Sequence, residues 1–147
     1  MKTNGLVIAI GNDHTAYEFK QPIIKFLHTE GYQILDLGTN SSESVDYPNF
    51  GFNVANAIVS KKADFGIVIC ATGIGISIAT NRINGVRCAL CYEEETVRLA
   101  RLHNDANVLA LGARIISDYK AVELVKLFLN TKTSDEKRHQ LRVTKLK

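Results

Sequence analysis

No run of the 147 residues stays apolar for the roughly 20 positions a membrane-spanning helix needs. The opening Met-Lys-Thr-Asn-Gly leads straight into a strand-like segment without the hydrophobic core of a signal peptide. A soluble, cytoplasmic protein is expected. Internal repeats, low-complexity tracts and linkers are absent, so this length with 46% hydrophobic residues is expected to make a single domain, 1–147, with one core. Cysteine is scarce and odd in number; three thiols without secretory features exclude a disulfide framework. Cys88 and Cys91 form one C-x-x-C, but no second pair accompanies it and residues three apart on a strand point to opposite faces. No metal site is expected, and both read as core cysteines. Excess charge is small as well, +3. Between Lys132 and Lys147 six Lys and Arg stand against Asp135 and Glu136, so the tail carries +4 and the rest −1. The tail holds no Phe, Tyr or Trp on which bases could stack, which argues against nucleic acid and for a small anionic ligand.

What is present is an alternation of short apolar runs with longer segments of helical period, the pattern of βαβ units. Strands are expected at Gly5–Ile10, Gln33–Leu37, Phe65–Ala71, Arg87–Cys91 and Asn107–Leu111. Between the first two, Ala16, Phe19, Ile23, Phe26 and Leu27 recur at helical steps until Gly31 offers a cap. Pro48 suits a helix start, with Phe52, Ala55, Ile58 and Val59 on its buried face. Further helices are expected from Ile76 toward Arg82, from Glu93, after a Ser117 cap, and around Arg138–Val143. The fold class is α/β: an open, parallel, doubly wound five-stranded sheet, expected in the order 2-1-3-4-5, with a basic C-terminal tail. Ligands of such sheets bind at the carboxyl ends of the strands where the order reverses, here strands one and three.

Two segments meet at that point. Asn12-Asp13-His14 follows strand one, and Cys70-Ala71-Thr72-Gly73-Ile74-Gly75 follows strand three. Glycines in a strand-to-helix turn let backbone amides approach an anion. The dinucleotide fingerprint lacks its third glycine, and the P-loop its Gly-Lys-Ser/Thr. A cysteine beside an anion-stabilising turn can serve as a thiolate, although a thiol at a strand end is also a small core residue. Asp13 can cap a helix as readily as hold a ligand. His103 and Asn104 end the helix begun at Glu93, where a histidine either complements the helix dipole or acts as an acid. Arg138 and Arg142 share a helix face and can grip a phosphate, or form a solvated tail. Arg114, after strand five, stands at the same sheet edge as Cys70.

In order along the chain, Asp13-His14, Asp46-Tyr47-Pro48, Cys70 through Ser77, Arg98 through Asp105, Gly112-Ala113-Arg114 and Arg138 through Arg142 resemble ribose-5-phosphate isomerase of the type B family, whose relatives include galactose-6-phosphate and allose-6-phosphate isomerases. The resemblance implies an aldose–ketose isomerase without metal or cofactor. Cys70 becomes the proton acceptor and His103 the acid that opens the sugar ring. Asp13 and His14 contact ring oxygens, and Ala71, Thr72, Gly73, Ile74 and Gly75 bind the enediolate. Tyr47, Asn104, Arg114, Arg138 and Arg142 complete the substrate and phosphate site. Ile76 stands where another branch of the family carries a glutamate base, which places this chain with the cysteine-using branch. The resemblance also implies a homodimer or tetramer with sites shared across the dimer. Ribose 5-phosphate is the expected substrate; a hexose 6-phosphate isomerase and a non-catalytic sugar-phosphate or nucleotide-binding module are the alternatives.

Overall fold

The structure is a computed structural model describing residues 5–146. Its sheet comprises β1 (Val7–Asn12), β2 (Gln33–Asp36), β3 (Phe65–Cys70), β4 (Cys88–Leu90) and β5 (Val108–Gly112), all paired in parallel. The helices are α1 (Gln21–Thr29), α2 (Tyr47–Val59), α3 (Ile74–Thr80), α4 (Glu94–Asn104), α5 (Asp118–Asn130) and α6 (Lys137–Thr144). Boundaries follow local chemistry. Gly31 ends α1 at φ 88°, a left-handed conformation, and the Ser117 hydroxyl caps α5 by accepting from the Lys120 amide. The stretch read as one helix from Ala16 divides into a 3-10 turn, His14–Ala16, and α1 proper. Val59, expected to be buried, is exposed; Val54 and Ala57 take the inner face of α2 with Ala55 and Ile58.

The α/β class is as expected, but the strand order is β2-β1-β3-β5-β4, so the last two positions of 2-1-3-4-5 are exchanged. The reason is burial. Every residue of β5 is buried, as befits a strand with neighbours on both sides, whereas β4 has three half-buried residues and takes the edge. β5 therefore pairs with β3, from Gly66 opposite Val108 to Cys70 opposite Gly112.

The sheet divides the expected single core in two. Ile8, Ile10, Ile67, Ile69, Leu109 and Leu111 point toward α1, α4 and α5, where Ile23, Leu27, Val97, Leu124 and Phe128 meet them. The alternate residues Ala9, Val68, Cys70, Val108 and Ala110 are smaller and face α2 and α3. On that side α2 lies so close that a Cβ on Gly66 would stand 2.5 Å from Val54 Cγ1 and 3.1 Å from Val108 Cγ2. Gly66→Ala should therefore overpack the α2 face at a cost of about 1–3 kcal/mol. A lower urea midpoint with an unchanged m-value is the expected result; an unaltered midpoint would show that α2 can move away freely.

Candidate active site

Cys70 is the last residue of β3, with β1 on one side and β5 on the other. At the β1 side the Asp13 amide donates to the Ile69 carbonyl at 3.1 Å, drawing the Asp13-His14 segment against the end of β3. At the β5 side the Ala113 amide donates to the Cys70 carbonyl and that of Arg114 to the Ala71 carbonyl, both at 2.9 Å. Arg114 thus adjoins the Cys70 turn because β5 displaced β4. In the order 2-1-3-4-5 it would have been one strand further away, a separation of about 5 Å.

The turn folds back on the thiol. Gly73 takes φ 80°, and a Cβ there would stand 2.6 Å from Leu90 Cδ1 and 2.9 Å from the Leu111 backbone, so this position requires glycine on both counts. That conformation aims the Gly73 amide at Cys70 Sγ, to which it donates at 3.2 Å. The Ile74 amide donates to Thr72 Oγ1 at 3.2 Å. The ring of Tyr47 lies over Gly75, where a Cβ would come within 2.5 Å of Cζ. Cys70 itself is 5% exposed and packs with Val68, Ile76 and Ala110. The three cysteines differ in surroundings: Cys88 packs on the α2 side and Cys91 is buried on the opposite face, as their spacing implies. Burial, with the neighbouring Cys91, pushes the Cys88 thiol up, and burial also raises Cys91.

Asp13 and His14 are both held. Asp13 Oδ1 caps the 3-10 turn, accepting from the amide and hydroxyl of Thr15 at 3.0 and 2.6 Å. His14 Nδ1 accepts from the Val45 amide at 3.2 Å. Sequence reasoning missed the residues beneath them. Asn12 is fully buried and donates to the Asp13 and Thr39 carbonyls, while Lys20, 0% exposed, binds Asp36 and Thr39. A signal existed: Lys20 falls in the buried stripe Ala16, Ile23, Leu27, where a charge demands a partner. Tyr92, whose hydroxyl donates to the Thr72 carbonyl at 3.4 Å, carried no such mark.

The remaining candidates sit elsewhere. α4 runs back along the sheet, and the Arg87 Nε beside the start of β4 donates to the Asn104 carbonyl at 3.1 Å, which puts His103 and Asn104 at the amino ends of the strands. Strands of this length separate the two edges by about 17–20 Å. α6 docks on α4 there: the His139 ring stacks on His103 at 4.1 Å between centroids, and Arg138 and Arg142 are exposed nearby. Arg138 Nε donates to Glu136 at 2.6 Å. One chain therefore gathers Asp13, His14, Tyr47, Cys70 to Gly75 and Arg114 at one edge, and His103, Asn104, Arg138 and Arg142 at the other. Among the described residues no group of three or more His, Cys, Asp or Glu side chains could hold a metal ion, and no helix is long and apolar enough to cross a membrane.

Burial lowers the pKa of His139, and the neighbouring charges of His103, Arg138 and Arg142 lower it further, against an opposing pull from Glu136. A form with α6 undocked therefore binds the proton more readily, and docking weakens as pH falls below the ordinary histidine value of 6.5. Hydrogen exchange corrected for intrinsic rates should show α6 losing protection between about pH 7 and pH 5 while β3 and β5 keep theirs. Equal protection of α6 at both values would contradict this.

The family model described as Ribose/Galactose Isomerase matches residues 8–146. Among solved structures, ribose-5-phosphate isomerase B of Clostridium thermocellum superimposes with a TM-score of 0.93 at 46% identity, covering 96% of this chain and 95% of that one. Ribose-5-phosphate isomerase B of Escherichia coli (strain K12) is 42% identical over 136 residues, 92% of this chain and 91% of the relative. A protein of Rickettsia conorii with the broader, provisional description of sugar phosphate isomerase is 43% identical over 147 residues, the full length of both. With the match spanning nearly all of its length, this chain belongs to the ribose/galactose isomerase family.

Proposed function

We propose that this protein interconverts ribose 5-phosphate and ribulose 5-phosphate through an enediolate, with Cys70 as general base, in the cytoplasm and as part of the pentose phosphate pathway. The observation that carries the reading is the Cys70 thiol receiving the Gly73 amide at 3.2 Å, between the Asp13-His14 segment and Arg114. That hydrogen bond orients the sulfur at the sheet edge, and a thiolate there is the form able to accept a proton. That base removes the C2 proton of the open-chain aldose and charge moves to the carbonyl oxygen O1; the proton of the C2 hydroxyl passes to O1, and the captured proton returns at C1 as O2 becomes the ketone carbonyl. No electrons leave the substrate. Amides of the Ala71–Gly75 turn other than those of Gly73 and Ile74, which donate to Cys70 Sγ and Thr72 Oγ1, would face the oxygen on which charge develops, where such donors contribute most. Arg114 supplies positive charge at the same edge for the phosphate, binding energy remote from the reacting carbons.

The second edge enters through a second copy. His103, Asn104, Arg138 and Arg142 lie too far from Cys70 in their own chain, so a homodimer that sets one chain's α4–α6 edge against the other's Cys70 edge would complete each site. His103 would then assist ring opening, and Arg138 and Arg142 would grip the phosphate. Around the Cys70 edge Tyr47, Ile74, Ile78, Tyr92 and Ile115 are exposed, an apolar rim suited to such a contact.

Three experiments test this. In assays of the purified protein on five- and six-carbon aldose phosphates, kcat/KM should be highest for ribose 5-phosphate; a clear preference for a hexose 6-phosphate would move the substrate to the galactose or allose side of the family. Cys70→Ala should lower kcat about 100- to 10,000-fold while retaining substrate binding, and unchanged turnover would leave a binding module or another base. Mixing Cys70→Ala with His103→Ala chains should recover about one quarter of wild-type activity, because half of the randomly formed dimers carry one intact shared site. No recovery on subunit exchange would place both groups in the same chain's site.

A further inference from the structure

We propose that Lys20 is a positioning residue for this site: its buried ammonium clamps the β2–α2 loop, which in turn holds His14 in a single tautomer. The inference rests on the sugar-phosphate reading only for what His14 touches. Lys20 Nζ donates to Asp36 Oδ1 and Oδ2 at 2.9 and 3.1 Å and to the Thr39 carbonyl at 3.0 Å, so all three of its protons are used. The same carbonyl accepts from Asn12 Nδ2 at 3.0 Å, and the Thr39 amide donates back to the Asn12 carbonyl at 3.2 Å. Asp36 Oδ1 also accepts from the Gly38 amide at 3.1 Å. The start of the loop is thereby tied to the last residue of β1, immediately before Asp13.

The other end of the loop returns to the site. Val45 donates its amide to His14 Nδ1 at 3.2 Å, and Tyr47, two residues on, lies over Gly75. A backbone amide has only a proton to offer, so Nδ1 must present its lone pair, and the proton of the neutral imidazole resides on Nε2. His14 is thus fixed as a donor, suited to a sugar oxygen. Between the two tethers Asn40 through Ser44 are exposed, and Ser42 meets the Tyr17 hydroxyl. Burying a lysine with a carboxylate is not an efficient route to stability, since apolar replacement of both partners is often neutral. A lysine, however, can reach from the start of α1 to a loop carbonyl and hold it by a directional bond, which an apolar side chain cannot do.

The test begins with the ligand-free wild-type protein labelled with 15N. At alkaline pH the neutral His14 ring should show the pattern of a proton on Nε2; a proton on Nδ1 overturns the proposal outright. This readout requires no turnover, so it stands or falls separately from the choice of substrate. In Lys20→Met/Asp36→Leu, which removes both charges together, the single tautomer should give way to a mixture. The KM for ribose 5-phosphate should rise about tenfold with kcat little changed, as expected for losing one well-placed hydrogen bond in ground and transition states alike. If that pair fails to fold, Asp36→Asn should shift both readouts in the same direction by less. A folded variant of either kind with the wild-type tautomer and KM overturns the proposal.

Discussion

β3 is hydrogen-bonded on both sides, to β1 along Ile8–Asn12 and to β5 along Val108–Gly112, and the arrangement of the site depends on that double pairing. A parallel strand with two neighbours delivers three chain ends at one edge, about 5 Å apart. Here those ends carry Asp13, Cys70 and the segment leading to Arg114. The pairing in turn relies on a division of side-chain size. Large Ile and Leu residues of the three central strands point toward α1, α4 and α5, while Ala, Val, Cys and Gly point toward α2 and α3. The thin side lets α2 approach closely, which brings Tyr47 at its start over the Gly75 turn.

Within this frame the polar groups are few and directional. The Cys70 thiol meets an amide, whereas burial raises the Cys88 and Cys91 thiols, against an opposing hydrogen bond from Thr96 at Cys91. Three residues of one type in one chain are thus distinguished by what lies within hydrogen-bonding reach. The buried charge of Lys20 is satisfied by Asp36 and Thr39, which joins the start of α1 to the β2–α2 loop, and Asn12 joins that loop to β1. On the proposed function, positive charge for a phosphate is split between Arg114 at one edge and the exposed arginines of α6 at the other. Only association of two copies would bring those halves together, so on this reading binding and assembly are one problem.

Sequence by itself determined the alternation of strands and helices, the caps at Gly31 and Ser117, the opposite facing of Cys88 and Cys91, and the meeting of Asp13-His14 with the Cys70 turn. These follow from periodicity, from backbone preferences and from the reversal of strand order at β1 and β3, all of which are written into neighbouring residues or their sequence of elements. Tertiary structure alone decided that β5 lies beside β3, because a strand's neighbour is chosen by how much apolar surface both faces can bury, and chain order does not record that. It also decided the partners of Lys20 and Asn12, which lie up to 27 residues away. Finally, it put His103, Asn104, Arg138 and Arg142 on the far edge, because a helix that returns along a parallel sheet must end beside the strands' amino termini.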